Sequence, residues 1–135
     1  MLYLLDTNVC VMYINGHSER IRDRVLATPT DEMAVCSVVK AELFYGAMRS
    51  KNPTRNLERQ QGFFHCFTSL PFDDEAAIAY GQIRADLATK GTPIGPNDLQ
   101  IAAIALTHNL TLITHNTREF IRVEGLQLED WEIEA

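Results

Sequence analysis

The chain has 135 residues, the size of one domain with its own core. With 46% hydrophobic and 22% charged residues it is not a disordered chain, and a formal net charge of -6 excludes a protein that wraps nucleic acid through overall basicity. A local basic patch or a bound metal would be its route to nucleic acid.

Taken in chain order, Leu2–Leu5 reads as a short buried strand, and Thr7 to Ile14 begins a helix broken by Asn15-Gly16. Ser18 can cap a second helix whose Ile21, Val25 and Leu26 face inward. Thr28-Pro29-Thr30-Asp31 is a loop, and Met33–Cys36 a second strand. Ser37 is placed as the cap of a helix to about Arg49, and Thr54 as the cap of one ending near Ser69. Leu70–Phe72 is the candidate third strand.

Asp73 caps a long helix with Ala76, Tyr80, Ile83 and Leu87 on one face, closed by Lys90-Gly91. A very apolar helix runs from Asp98 to about His108, where Asn109 can stop it in the left-handed conformation. Thr111–Thr114 and Leu126–Leu128 are the last two strands. Short apolar strands alternating with helices predict an α/β fold, a central mostly parallel sheet flanked by helices in a single domain over 1–135.

Three carboxylates stand at the edges of apolar elements. Asp6 ends Leu2–Leu5, Glu42 interrupts the run from Val38 to Tyr45, and Asp98 follows Gly95-Pro96-Asn97. Each has an ordinary reading: Asp6 as a helix cap, Glu42 as a solvent-facing residue beside Lys40, Asp98 as a first-turn acid suited to the helix dipole. Together they point to one shared partner, a hard divalent cation such as Mg²⁺ or Mn²⁺, which would relieve their repulsion and serve phosphodiester hydrolysis.

The four histidines have no close metal-ligand spacing, and His115 reads as structural or exposed. The three cysteines, Cys10, Cys36 and Cys66, lie in apolar surroundings and read as buried free thiols. No run reaches the about 18 apolar residues of a membrane helix, and no signal peptide is visible, so a cytoplasmic protein without membrane contact is expected.

The segments Met1-Leu2-Tyr3-Leu4-Leu5-Asp6-Thr7-Asn8, Ser37-Val38-Val39-Lys40-Ala41-Glu42-Leu43-Phe44-Tyr45-Gly46-Ala47, Gly81-Gln82-Ile83-Arg84-Ala85, Gly91-Thr92-Pro93-Ile94-Gly95-Pro96-Asn97-Asp98 and Leu112-Ile113-Thr114-His115-Asn116-Thr117-Arg118-Glu119-Phe120 resemble, in order and spacing, the PIN-domain ribonucleases, and more narrowly the VapC toxins of VapBC toxin–antitoxin modules. The resemblance implies a PIN-like three-layer sandwich and endonucleolytic cleavage of RNA, with transfer RNA a candidate substrate. It implies a Mg²⁺ site of Asp6, Asp98 and Glu42, with Mn²⁺ a substitute. Thr7, Asn8, Ser37 and Thr114 would orient the carboxylates or a water, although each can equally serve as a helix cap or strand-end hydroxyl.

The family often carries a further acid after the last core strand; here that place reads Asn116, with Glu119 three residues on. Implied partners are RNA, a VapB-type antitoxin whose C-terminal segment wraps the toxin, and a second copy in a homodimer or larger toxin–antitoxin assembly. Arg49, Lys51, Arg55 and Arg59 are the basic cluster nearest in sequence to the acids and the candidate RNA contact. The acidic end, Glu129, Asp130, Glu132 and Glu134, is not expected to touch RNA, and Trp131 reads as a packing lid. The competing reading is a catalytically inactive PIN-like module that binds RNA or protein. A haloacid-dehalogenase-type phosphohydrolase would need a second Asp at position 8, which is Asn.

Overall fold

In the computed structural model, which describes residues 1–133, the apolar tripeptide Tyr3–Leu5 (β1) is the central strand of a five-stranded sheet. Met33–Cys36 (β2) and Thr68–Leu70 (β3) lie on one side of it, Thr111–Ile113 (β4) and Leu128–Glu129 (β5) on the other, and every pairing is parallel. The order is β3-β2-β1-β4-β5. The first half of the chain steps outward in one direction and the second half in the other, so right-handed connections put helices on both faces. The result is the three-layer α/β sandwich expected from the alternating pattern. Burial on both faces explains why β1, β2 and β4 read as apolar runs rather than alternating ones.

The helices are Thr7–Ile14 (α1), Glu19–Ala27 (α2), Ser37–Met48 (α3), Pro53–Phe64 (α4), Asp74–Lys90 (α5), Pro96–Thr107 (α6) and Thr117–Phe120 (α7). Ser18 and Asp73 cap as expected, accepting from the Ile21 and Ala76 amides. Gly91 ends α5 at φ 70°, a left-handed turn that favours glycine, and Asn109 follows α6 at φ 54°. In α6 the residues from Ile101 to Ala105 are all buried, which accounts for its uniformly apolar sequence.

Several sequence-based boundaries move. Ser37 is the first residue of α3 and makes no capping bond, because Cys36, still extended from β2, takes the cap position. Thr54 likewise lies inside α4, where Pro53 occupies the first turn and Asn52 the cap. Helix α4 ends at Phe64 rather than near Ser69, and β3 is Thr68–Leu70 rather than Leu70–Phe72, because Ala34, Val35 and Cys36 of β2 pair with those three residues. The last strand is Leu128–Glu129 rather than Leu126–Leu128. Cys10 and Cys36 are buried free thiols, but Cys66 is exposed after the end of α4. Trp131 is 1% exposed and packs edge-on against Tyr3, ring centres 5.3 Å apart. Glu134 lies outside the described residues.

Candidate active site

The carboxyl ends of β1 and β4 lie side by side where the strand order reverses, the place at which open parallel sheets bind ligands. Asp6 is the first residue beyond β1. Its N–H continues the sheet ladder to the Ile113 carbonyl at 2.9 Å. Its carboxylate is fixed at both oxygens: Oδ1 accepts from the Thr7 amide at 2.8 Å and Oδ2 from the Thr114 hydroxyl at 2.7 Å. The residue is only 4% exposed. Burial pushes its pKa up, the Thr114 and Thr7 hydrogen bonds pull it back down, and the charge of Glu42 pushes it up again.

Asp98 is the third residue of α6, half-buried at the same edge. Burial, followed by the charge of Asp6, then a hydrogen bond and the charge of Glu119, then Glu42, raises its pKa to about 7. Helix α6 therefore starts where the strands end, which the sequence alone left open. Glu42, in the second turn of α3, is the half-buried acid whose charge reaches both aspartates.

Asn116 and Glu119 enter through α7, a four-residue helix absent from the sequence-based element list. The cue was there: a capping-type Asn followed by a Glu three residues on. The Asn116 amide donates to Thr114 Oγ1 at 2.9 Å, and its side-chain Nδ2 donates to Glu119 Oε2 at 3.1 Å. Thr114 thus links Asp6 to Asn116, Asn116 holds Glu119, and Glu119 meets Asp98. Asp6, Asp98 and Glu119 all lie at or in the first turn of a helix, where backbone N–H groups favour negative charge. Acids whose charges raise the proton affinity of Asp6 and Asp98 in one cleft suit a hard divalent cation, which offsets their repulsion and prefers oxygen donors. The donor set fits such an ion.

The other anticipated residues are placed less uniformly. The Thr7 amide donates to Asp6, the N-cap of α1, while the Thr7 hydroxyl is buried without a partner. Asn8 and Ser37 are exposed, with no side-chain hydrogen bond among the described residues. Arg59 donates to the Ile14 carbonyl at 2.7 Å and lines a groove that also contains Glu42. Arg49 lies over the Tyr45 ring at 5.4 Å, and Lys51 and Arg55 are exposed.

A cluster that sequence spacing did not suggest ties the end of β4 to the chain beyond β5. His115 Nδ1 lies 2.8 Å from Asp130 Oδ2 and 3.0 Å from Glu132 Oε2. Among the described residues, these are the three metal-type ligand atoms within 4.8 Å of one another. The ring nitrogen and the Glu132 amide, which donates to Asp130 Oδ1 at 3.0 Å, account for the cluster as a hydrogen-bonded clasp.

A family model described as the PIN domain matches residues 3–126. The chain belongs to the PIN-domain family. Within it, the tRNA(fMet)-specific endonuclease VapC of Salmonella typhimurium is 45% identical over 96% of this chain and 97% of its own length. The crystal structure of DNA-bound VapBC from Salmonella typhimurium superposes with a TM-score of 0.91, covering 97% of this chain and 99% of that one at 45% identity. VapBC2 from Rickettsia felis, bound to a DNA fragment from its promoter, gives 0.90 at 38% identity, with 97% and 99% covered. In this PIN domain the sheet edge that carries Asp6 is therefore shared architecture. Among the described residues, no helix is long and apolar enough to cross a membrane.

Proposed function

We infer that this PIN domain is the endoribonuclease toxin of a VapBC-type toxin–antitoxin pair, a cytoplasmic enzyme that uses Mg²⁺, or Mn²⁺ in its place, to hydrolyse RNA. The observation that carries the reading is the convergence of Asp6 and Asp98 at the sheet's topological switch point, joined through Thr114, Asn116 and Glu119, with Glu42 near enough for its charge to reach both aspartates. The relatives support it, since the Salmonella protein is named for cleavage of tRNA(fMet). Initiator transfer RNA is accordingly the first substrate to try. The VapBC complexes support a VapB-type antitoxin as partner.

Asp6, Asp98 and Glu42 would hold the ion, with Glu119 and Asn116 completing its surroundings. A divalent cation bound there lowers the pKa of a water and stabilises charge on a phosphoryl oxygen. The chain's own part is positional. Thr7 and Thr114 fix the Asp6 carboxylate, and each oxygen keeps a lone pair beyond that hydrogen bond. Asn116 holds Glu119 within reach of Asp98, beside the place the ion would take. The exposed basic rim of Arg49, Lys51, Arg55 and Arg59 supplies the positive charge that an acidic protein needs to hold RNA.

Sequencing RNA ends after expression without antitoxin, against an Asp98→Asn control, tests the proposal. New ends in transfer RNA that vanish in the control are expected. Cleavage that persists in both Asp6→Asn and Asp98→Asn would assign the chemistry elsewhere. Failure to bind Mn²⁺ at millimolar concentration, with RNA still bound, would make the domain a non-catalytic binding module.

A further inference from the structure

Beside the site the sheet ladder ends at Thr114, whose N–H donates to the Glu129 carbonyl at 3.0 Å, and α7 begins only at Thr117. His115 and Asn116 form the link between them. The backbone of His115 makes no hydrogen bond to another backbone group among the described residues, and the Asn116 amide turns back to Thr114 Oγ1. A link that the ladder does not hold keeps one conformation only where other contacts offset the entropy of ordering it.

The His115 side chain supplies such a contact. Thr114 points inward to Asp6 Oδ2, whereas the exposed His115 ring reaches the chain beyond β5. Its Nδ1 lies 2.8 Å from Asp130 Oδ2 and 3.0 Å from Glu132 Oε2. Carboxylates only accept, so the ring hydrogen sits on Nδ1 and is shared between the two. The far end of this contact is firm. The Glu132 amide donates to Asp130 Oδ1 at 3.0 Å, which folds the two acids together, and Trp131 between them is buried in the core. The carboxylate side chains are only 10% and 22% exposed. With the ring itself open to water the pair contributes little stability, and what it sets is geometry.

We propose that His115 is a positioning residue of this enzyme: held by Asp130 and Glu132, it fixes the link from Thr114 to Asn116 and thereby sets where the Asp6 carboxylate and Glu119 stand. The proposal rests on the nuclease reading above and adds to it a residue outside the acidic cleft. The two routes into the site leave from either side of His115 in the chain. Thr114 donates to Asp6 Oδ2 at 2.7 Å, and Asn116 Nδ2 donates to Glu119 Oε2 at 3.1 Å. A shift of the link therefore moves both acids together. Groups that orient a metal-binding carboxylate change metal affinity without touching the metal, and a misplacement of about 1 Å can cost on the order of 100-fold in rate.

The test uses the full-length chain, Mn²⁺ as the metal probe, and the RNA that the native chain cuts in the end-sequencing experiment. His115→Ala is expected to lower Mn²⁺ affinity and kcat each about tenfold, the low end of the range for removing a group that supports a metal ligand. KM for the RNA should stay within about twofold, because the ring does not contact substrate. His115→Asn, whose side-chain amide places an N–H near the position of Nδ1, should recover most of both losses. In Thr114→Val the route to Asp6 is already cut, so adding His115→Ala should lower Mn²⁺ affinity much less than it does in the native chain. A residue that merely supports the fold would add its full loss.

The exchange rate of the Asn116 amide in metal-free protein reads the link itself, and should rise in His115→Ala and return in His115→Asn. An unchanged rate would overturn the proposal, as would native Mn²⁺ affinity with native kcat in His115→Ala. A raised KM with kcat unchanged would instead make His115 an RNA contact. Zn²⁺ binding by the Asp6→Asn, Asp98→Asn double variant that disappears with His115→Ala would replace the proposal with a metal site at these three side chains. Absence of cleavage by the native chain would defeat the nuclease reading, while Mn²⁺ affinity and amide exchange still decided whether His115 holds the link.

Discussion

Thr114 donates its hydroxyl hydrogen to Asp6 Oδ2 at 2.7 Å across 108 positions of sequence, and its own Oγ1 accepts from the Asn116 amide. One buried hydroxyl therefore sets the Asp6 carboxylate and the turn into α7 together. Thr114→Val keeps the shape and removes both bonds. The expected cost is about 1–3 kcal/mol in chemical denaturation, because a buried carboxylate oxygen and an amide lose their partner. Mn²⁺ affinity should fall roughly 10- to 100-fold, the usual effect of removing a group that orients a metal ligand. Thr114→Ser should recover most of both, and a Thr114→Val protein with native metal affinity would show that Asp6 needs no such hold.

The raised proton affinity of Asp98 makes the metal-free fold sensitive to pH. Its carboxyl titrates at about 7 in the folded chain and near the ordinary aspartate value of 3.8 when unfolded. Between those values the folded state binds the extra proton, so stability falls as pH rises through the window and levels off above it. Thermal melts in EDTA should show Tm dropping from pH 5 to pH 8. Saturating Mn²⁺ should abolish most of the drop, since a cation replaces the proton between the acids. Asp98→Asn should flatten the EDTA profile and raise Tm at pH 8, although it loses metal binding. A variant that is less stable than the native chain at pH 8 in EDTA would contradict the repulsion account.

The outline of the fold was legible in the sequence because burial on both faces leaves β1, β2 and β4 as uninterrupted apolar runs. The acids were legible for the same reason: Asp6 and Asp98 stand out only against apolar neighbours. What the sequence did not carry was pairing. Strand order and the exact bounds of β3 and β5 depend on which neighbour each edge strand meets, as β3 is fixed by Ala34, Val35 and Cys36 of β2. Ser37 has a capping side chain, but Cys36 arrives extended from β2 and takes the cap. Helix α7 has four residues, too few to show a period, yet it brings Glu119 into the site.

Asn116 is where this chain departs from a four-acid arrangement, and its Nδ2 donates to Glu119 at 3.1 Å. Asn116→Asp would exchange that hydrogen bond for repulsion against Glu119. Tm in EDTA should therefore fall, while Mn²⁺ affinity rises because the cation gains a further carboxylate. The two shifts should be opposite in sign, which separates this account from simple damage to the fold. Equal loss of stability with and without metal would mean that Asn116 faces no ion.

Trp131 closes the far edge of the sheet. It is 1% exposed, stacks edge-on with Tyr3, lies under the Arg24 guanidinium at 4.8 Å and donates its Nε1 hydrogen to Glu129 Oε1 at 3.2 Å. Arg24 also pairs with Glu129 at 3.3 Å, but that pair is about two-fifths exposed and contributes little by itself. The energy of the closure therefore rests on the buried ring. Trp131→Ala should cost about 3–5 kcal/mol by denaturation, the range for removing a buried aromatic side chain. Arg24→Gln should cost under about 1 kcal/mol. Because Asp130 and Glu132 flank Trp131 and both reach His115, one residue beyond Thr114, loosening this edge should reach the active site as well. Amide hydrogen exchange should show His115 and Asn116 losing protection in Trp131→Ala, with α4 unchanged; protection loss spread evenly over the chain would mean that the ring supports the whole core rather than this edge.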